Sequence, residues 1–141
     1  KMSKTAVVFW SGTGNTEEMA NAVLEGMKEN GADASIYSAD AFQAGDVDGY
    51  DAIAFGCPAM GAEVLEEDEF QPLFDECKSA LEGKKVALFG SYGWGDGEWM
   101  RNWEDDCKEA GIELACDSVV CNDAPDEDAI AACKGLGAAL V

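Results

Sequence analysis

Five short apolar runs divide the chain, and most gaps between them are long enough for a helix. Residues 5–10 (TAVVFW), 33–38, 51–56 (DAIAFG), 84–90 (KKVALFG) and 112–121 read as strands. The first and third are apolar throughout, as strands buried on both faces are. Residues 16–30 place Met19, Val23 and Met27 four apart, with Ala20 and Leu24 beside them, and Gly31 is a natural stop. Residues 68–81 put Phe70, Phe74, Cys77 and Leu81 on one helical face, and residues 98–110 put Met100, Trp103 and Cys107 on another. Residues 126–141 close the chain as a helix. The link over 39–50 has the faintest helical pattern, and the fifth strand region is broken in polarity at Asp117 and Ser118. This order implies an α/β fold, a parallel sheet with helices on both faces. A length of 141 residues fits one domain over 1–141.

In such a sheet, ligands bind at the carboxyl ends of the strands, where the strand order reverses. The loops that follow strands one, three, four and five read SGTGNT, CPAMGAEVLEED, SYGWGDG and NDAPDED. In the first, Gly12 and Gly14 let the backbone turn tightly and aim N–H groups inward. The start of the following helix adds roughly half a positive charge. Ser11, Thr13, Asn15 and Thr16 add side-chain donors, so the loop is suited to a phosphate without any cation. A plain tight turn rich in small residues is the alternative. A nucleoside-triphosphate loop of the G-x-x-x-x-G-K type is excluded, because no Lys follows. A dinucleotide fingerprint is excluded because Glu17 stands where its third Gly belongs. Cys57 has no Arg close behind it, as a cysteine phosphatase would need.

Composition narrows the chemistry further. The chain has no His, which excludes Ser-His-Asp and Cys-His catalysis and His-ligated metals within it. Nine Lys and Arg against 29 Asp and Glu give a net charge of −20. That charge argues against nucleic acid or an anionic membrane surface as a partner. No run approaches the roughly 18 apolar residues of a membrane span. Residues 6–10 are too short for a signal peptide, so the expected compartment is the cytoplasm. Lys1 ahead of Met2 reads as an addition to the natural start or as a processing oddity. The six cysteines form no C-x-x-C pair and read as free thiols in a reducing compartment.

With these loops in view, the chain resembles the short-chain flavodoxins of the clostridial type. WSGTGNTEEMA is similar to that family's phosphate loop, and GCPAMGAE and LFGSYGWGDGEWM are similar to its two flavin-gripping loops. The segments occur in the family's order and spacing, and the fifth strand lacks a long insertion. The resemblance implies a five-stranded parallel sheet of order 2-1-3-4-5 and non-covalently bound FMN. Flavodoxins are themselves a standard instance of binding at the β1/β3 switch point, so the placement follows from the resemblance. It further implies a low-potential one-electron carrier, not an enzyme, that moves electrons between redox proteins with basic docking surfaces and is expected to be monomeric. A small quinone or azo reductase on the same fold is the alternative. A response-regulator-like module would need an acidic pair after strand one, where Ser11 and Gly12 stand.

Carried over to this chain, the cofactor-binding residues are Ser11, Gly12, Thr13, Gly14, Asn15 and Thr16 for the phosphate, with Ser91 beside them. Ala59, Met60, Gly61, Ala62 and Glu63 form the first flavin loop. Tyr92, Gly93, Trp94, Gly95 and Asp96 form the second. Met60 is implied on the inner face of the isoalloxazine ring, Trp94 on the outer, and Glu63 as acceptor for the flavin N3–H. Backbone N–H groups of Gly93, Gly95 and Asp96 are expected at the pyrimidine edge, and Asn122 and Asp123 at the ribityl chain. Trp99 and Trp103 are read as structural. Acids crowd this edge: Glu63, Glu66, Glu67, Asp68, Glu69, Asp96, Glu98, Asp123, Asp126, Glu127 and Asp128. Negative charge beside a reduced, anionic flavin lowers its potential by about 59 mV for each 1.4 kcal/mol of destabilisation.

In related flavodoxins the central peptide of the 60–63 turn flips on one-electron reduction. A turn with φ > 0 at Gly61 costs nothing sterically, whereas φ > 0 at Ala62 does. Gly61→Ala is therefore expected to lower the stability of the neutral semiquinone. A redox titration in which the semiquinone yield stays unchanged refutes this account.

Overall fold

The computed structural model describes residues 2–141; Lys1, with the reading given to it, lies outside them. Its elements run β1 (Lys4–Phe9), α1 (Asn15–Glu29), β2 (Asp33–Ser38), β3 (Ala52–Gly56), α2 (Phe70–Cys77), β4 (Lys85–Tyr92), α3 (Glu98–Glu109), β5 (Val119–Asn122) and α4 (Glu127–Ala139). All four strand pairings are parallel, in the order β2-β1-β3-β4-β5. This is the doubly wound sheet implied by the sequence.

Four segments differ in type or extent from the sequence reading. The link over 39–50 forms two 3-10 turns, Ala39–Ala41 and Ala44–Gly49, instead of an α-helix. The fifth strand is shorter than the apolar run. Leu114 touches Val86 in a single parallel bridge, and the Ala115 N–H donates to the Val86 carbonyl at 2.8 Å. The chain then leaves the sheet until Val119, and Ser118 Oγ donates to Glu104 Oε2 at 2.6 Å. Helix α2 begins at Phe70, because the N–H groups of Asp68, Glu69 and Phe70 all donate to the carboxylate of Glu66, at 2.9, 2.8 and 2.8 Å. In turn β4 runs on to Tyr92, where β5 pairs with it through Ser91–Cys121 and Tyr92–Asn122.

Strand alternation sorts the core into two unlike layers. Ala52, Ala54 and Ala87 face α1 and α4, while Ile53, Phe55, Val86 and Leu88 face α2 and α3. On the second side Phe55 and Trp103 each meet Phe70 and Phe74 edge-to-face, with centroids 5.1 Å apart for Phe55–Phe74 and 5.4 Å for Phe70–Trp103, while Phe70 and Phe74 stack on each other. On the first side the helices close on each other through glycine. A Cβ on Gly137 would overlap the carbonyl oxygen of Val23, and one on Gly26 the carbonyl oxygen of Lys134.

All six cysteines are free; Cys57, Cys77, Cys107 and Cys133 are buried and Cys116 and Cys121 half-buried. Burial pushes the thiols of Cys57, Cys107 and Cys133 up to about 12 and that of Cys77 to about 11. Among the described residues, no helix is long and apolar enough to cross a membrane.

The α1–α4 contact gives a direct test. Gly137→Ala forces two backbones apart and is expected to cost roughly 1–3 kcal/mol by overpacking. Denaturant unfolding reads this as a lower midpoint with an unchanged slope.

Candidate functional site

The carboxyl ends of β1, β3, β4 and β5 converge on one edge, and the loops leaving them frame a cavity of about 200 Å³. Its wall includes Gly12, Thr13 and Asn15 from the first loop, Ala59 and Met60 from the second, and Ser91, Tyr92 and Gly93 from the third. Eight of the residues assigned from sequence therefore meet around one space. Asp123, expected at the ribityl chain, lines it as well, as do Trp10 and Pro58, which were absent from that set. Trp10 was read as the end of a buried strand. The clue to it was its place as the last, aromatic residue before a Gly-rich loop.

The first loop is held by its own side chain. Ser11 Oγ accepts from the N–H groups of Gly14 at 3.1 Å and Glu17 at 3.3 Å. Gly14 takes φ +97°, a conformation that favours glycine. Among the described residues, the N–H groups of Gly12, Thr13, Asn15 and Thr16 donate to no protein acceptor, which leaves a cluster of donors at the start of α1. Two side-chain donors expected for the phosphate are directed elsewhere. Thr16 is only 1% exposed, and its Oγ1 accepts from the Ser91 N–H at 3.4 Å. Ser91 Oγ donates to the carbonyl of Asp123 at 2.6 Å, which fixes the β5 loop against β4. Asp123 takes φ +58°, and its N–H donates to the Tyr92 carbonyl at 2.8 Å. Asn122 lies outside the cavity wall, and its Nδ2 donates to the same carbonyl at 3.3 Å.

The second loop is clamped at its base. Glu66 N–H donates to Cys57 Sγ at 3.4 Å, Trp99 Nε1 donates to the Cys57 carbonyl at 3.1 Å, and Ala59 N–H donates to the Ser91 carbonyl at 3.0 Å. Trp99 is thus structural, as read from the sequence. The turn itself closes through Met60 and Val64, whose paired N–H···O bonds are 2.8 and 3.1 Å. This differs from the four-residue turn over 60–63. Three residues, Gly61, Ala62 and Glu63, form the tip, with φ +38° at Gly61 and +56° at Glu63. The positive φ at Gly61 agrees with the turn expected to be free of steric cost; the one at Glu63 was not foreseen. Gly61 and Ala62 are exposed.

Glu63 reaches from this loop to the next. Its carboxylate lies against Gly95, where any Cβ would overlap Oε1. That Oε1 is buried and has no hydrogen-bond partner. A buried carboxylate oxygen with no donor is costly. Asp96 pairs instead with Arg101 at 3.0 Å, and Trp94 is 65% exposed outside the cavity wall. Glu66 departs from the solvated acidic rim to which the sequence assigned it. It is only 7% exposed. Burial alone would push its carboxyl up, but the three N–H donors at 68–70 outweigh burial and hold it below the ordinary carboxylate range.

A phosphate-sized group of free N–H donors and a slot between two glycine-rich loops suit a flavin mononucleotide; the fold and site define an FMN-binding electron carrier. The family model described as flavodoxin matches residues 7–135. The flavodoxin of Clostridium beijerinckii is 44% identical over 121 residues, 86% of this chain and 88% of that protein. The flavodoxin of Megasphaera elsdenii is 44% identical over 133 residues, 94% of this chain and 95% of that one. The solution structure of two-electron reduced Megasphaera elsdenii flavodoxin superposes with a TM-score of 0.89 at 43% identity, covering 96% of this chain and 97% of that one. The chain belongs to the flavodoxin family, in its short-chain branch.

Glu66→Ala should remove the carboxylate cap of α2 at roughly 1–3 kcal/mol, while the backbone N–H that donates to Cys57 Sγ remains. Since the carboxyl of Glu66 is held low, its contribution is complete above the ordinary glutamate value of about 4.3 and disappears as pH falls through the lower folded value. The stability difference between wild type and Glu66→Ala, followed by denaturant unfolding against pH, is expected to shrink only below pH of about 4.

Proposed function

We propose that residues 1–141 act as one FMN-binding domain, a cytoplasmic monomer that carries single electrons at low potential between enzymes with basic docking surfaces. Bound FMN supplies the reversible one-electron exchange. The free N–H groups of the 12–16 loop hold its phosphate. Met60 covers the inner side of the ring and Trp94, the most exposed aromatic beside the cleft, the outer. Glu63 accepts from the flavin N3–H, and the N–H groups of Gly93, Gly95 and Asp96 face the pyrimidine edge. Asn122 and Asp123 flank the ribityl chain. Ser91 and Thr16 serve by bracing the loops.

The unpartnered Glu63 oxygen beside Gly95 is the observation that supports this assignment most directly. The exposed acids Glu67, Asp68, Glu69, Asp96, Glu98, Asp123, Glu127 and Asp128 surround the same edge. They disfavour further negative charge in the cleft and attract cationic surfaces over a Debye length. Neither the family match nor the relatives favour a quinone or azo reductase.

Cofactor-free protein should take up one FMN with loss of its fluorescence, and reductive titration of the complex should show two separated one-electron steps. A colourless chain that ignores added FMN overturns the proposal. Affinity should rise with salt at low ionic strength, since screening relieves repulsion between the phosphate and a chain of net charge −20. Salt-independent binding would show that the N–H cradle alone decides affinity.

A further inference from the structure

Arg101 stands at a position that its own helix does not favour. It belongs to the first turn of α3, and the positive end of a helix disfavours a cation. Lys28 and Lys108 instead occupy the last turns of α1 and α3, Lys4 and Lys85 begin strands at the far end of the sheet, and Lys134 pairs with Glu25 on α1 at 3.2 Å. Arg101 folds back over the second glycine-rich loop. Its Nη1 donates to the carbonyl of Asp96 at 3.1 Å and its Nη2 to Asp96 Oδ1 at 3.0 Å. Among the described residues, it is the only side chain that hydrogen-bonds to residues 93–97.

That segment needs a restraint. Gly95 and Gly97 take φ +88° and +92° on either side of Asp96, so little in the local backbone fixes the peptides between them. Gly95 also lies against the Glu63 carboxylate with no room for a Cβ, so drift of this loop disturbs its fit to Glu63. A guanidinium is a planar fork, and here it holds two oxygens of one residue, a carbonyl and a carboxylate. An exposed ion pair alone contributes little. The bond to the carbonyl is the one that acts on the backbone, because it orients the Asp96–Gly97 peptide.

We propose that Arg101 is a positioning residue for the second flavin loop: by gripping the carbonyl and the carboxylate of Asp96 together, it holds residues 93–96 in the shape that presents their N–H groups to the cofactor. The fork carries the effect, and the charge alone does not. The consequence for FMN rests on the assignment of this loop to the flavin; the restraint on the loop itself does not.

Two measurements on the full chain test this. The Arg101 side chain is 58% exposed, so Arg101→Met and Arg101→Lys should both fold. In the cofactor-free protein, backbone amide relaxation should show Gly95, Asp96 and Gly97 more mobile in Arg101→Met than in wild type, with the amides of residues 12–16 unchanged. Equal mobility at 95–97 in the two proteins overturns the restraint. FMN dissociation constants are then compared. Arg101→Met should weaken binding roughly three- to tenfold, the cost of ordering a loosened loop. Arg101→Lys keeps the charge but loses the fork, and should weaken binding nearly as much. Wild-type affinity in Arg101→Met, or in Arg101→Lys, overturns the positioning role, the second because charge alone would then suffice. Failure of the wild type to bind FMN would refute the flavin assignment, and the restraint would still be judged by the amide relaxation.

Discussion

The fold depends on how β3 and β4 divide their side chains. Ala52, Ala54 and Ala87 on one face let α1 and α4 sit close to the sheet and to each other. Ile53, Phe55, Val86 and Leu88 on the other face hold α2 and α3 away with aromatic bulk. The two sides of the sheet are thus packed unlike each other, with Phe89 over Gly56 the one aromatic ring of β3 and β4 on the α1 and α4 side. Such packing fixes strand register, since a slip by one residue would exchange the two sets. Register in turn determines which carboxyl ends stand together, so the site inherits its shape from an alternation of small and large residues.

On that platform the loops owe little to flexibility. Each is tied to a neighbour by buried polar bonds. Ser91 joins the β4 and β5 loops through Asp123, while Thr16 joins α1 to β4, and Cys57 is held by Trp99 and Glu66. In the second loop the tip at 61–63 projects beyond these ties. The part of the loop expected to move is therefore small and borders a rigid base.

Much of this was legible in the sequence. The succession of strands and helices followed from alternating periods, the strand order from the family resemblance, and the phosphate loop from two glycines between a strand and a helix. Met60, Gly93 and their neighbours were legible because glycine-flanked exposed residues do not fit a core period. What escaped detection depends on contacts between distant segments. Trp10 looked like strand, yet its indole lies in the cavity wall and donates to Glu69 Oε1 at 3.1 Å, 59 residues away. Glu66 looked like one acid in a run of acids, and only the helix start at Phe70 shows that it faces inward. The extra residue in the 60–64 turn was hidden because the pairing of Val64 with Met60 leaves no mark on composition.

The buried thiols have a consequence of another kind. A thiol pushed up to about 12 has on the order of one thiolate in 10⁵ molecules at neutral pH, and the thiolate is the form that oxidants attack. Cys57, directly before the loop that faces the cofactor cleft, is among them. A protein that passes single electrons thus keeps the thiols of Cys57, Cys107 and Cys133 protonated and out of reach of solvent.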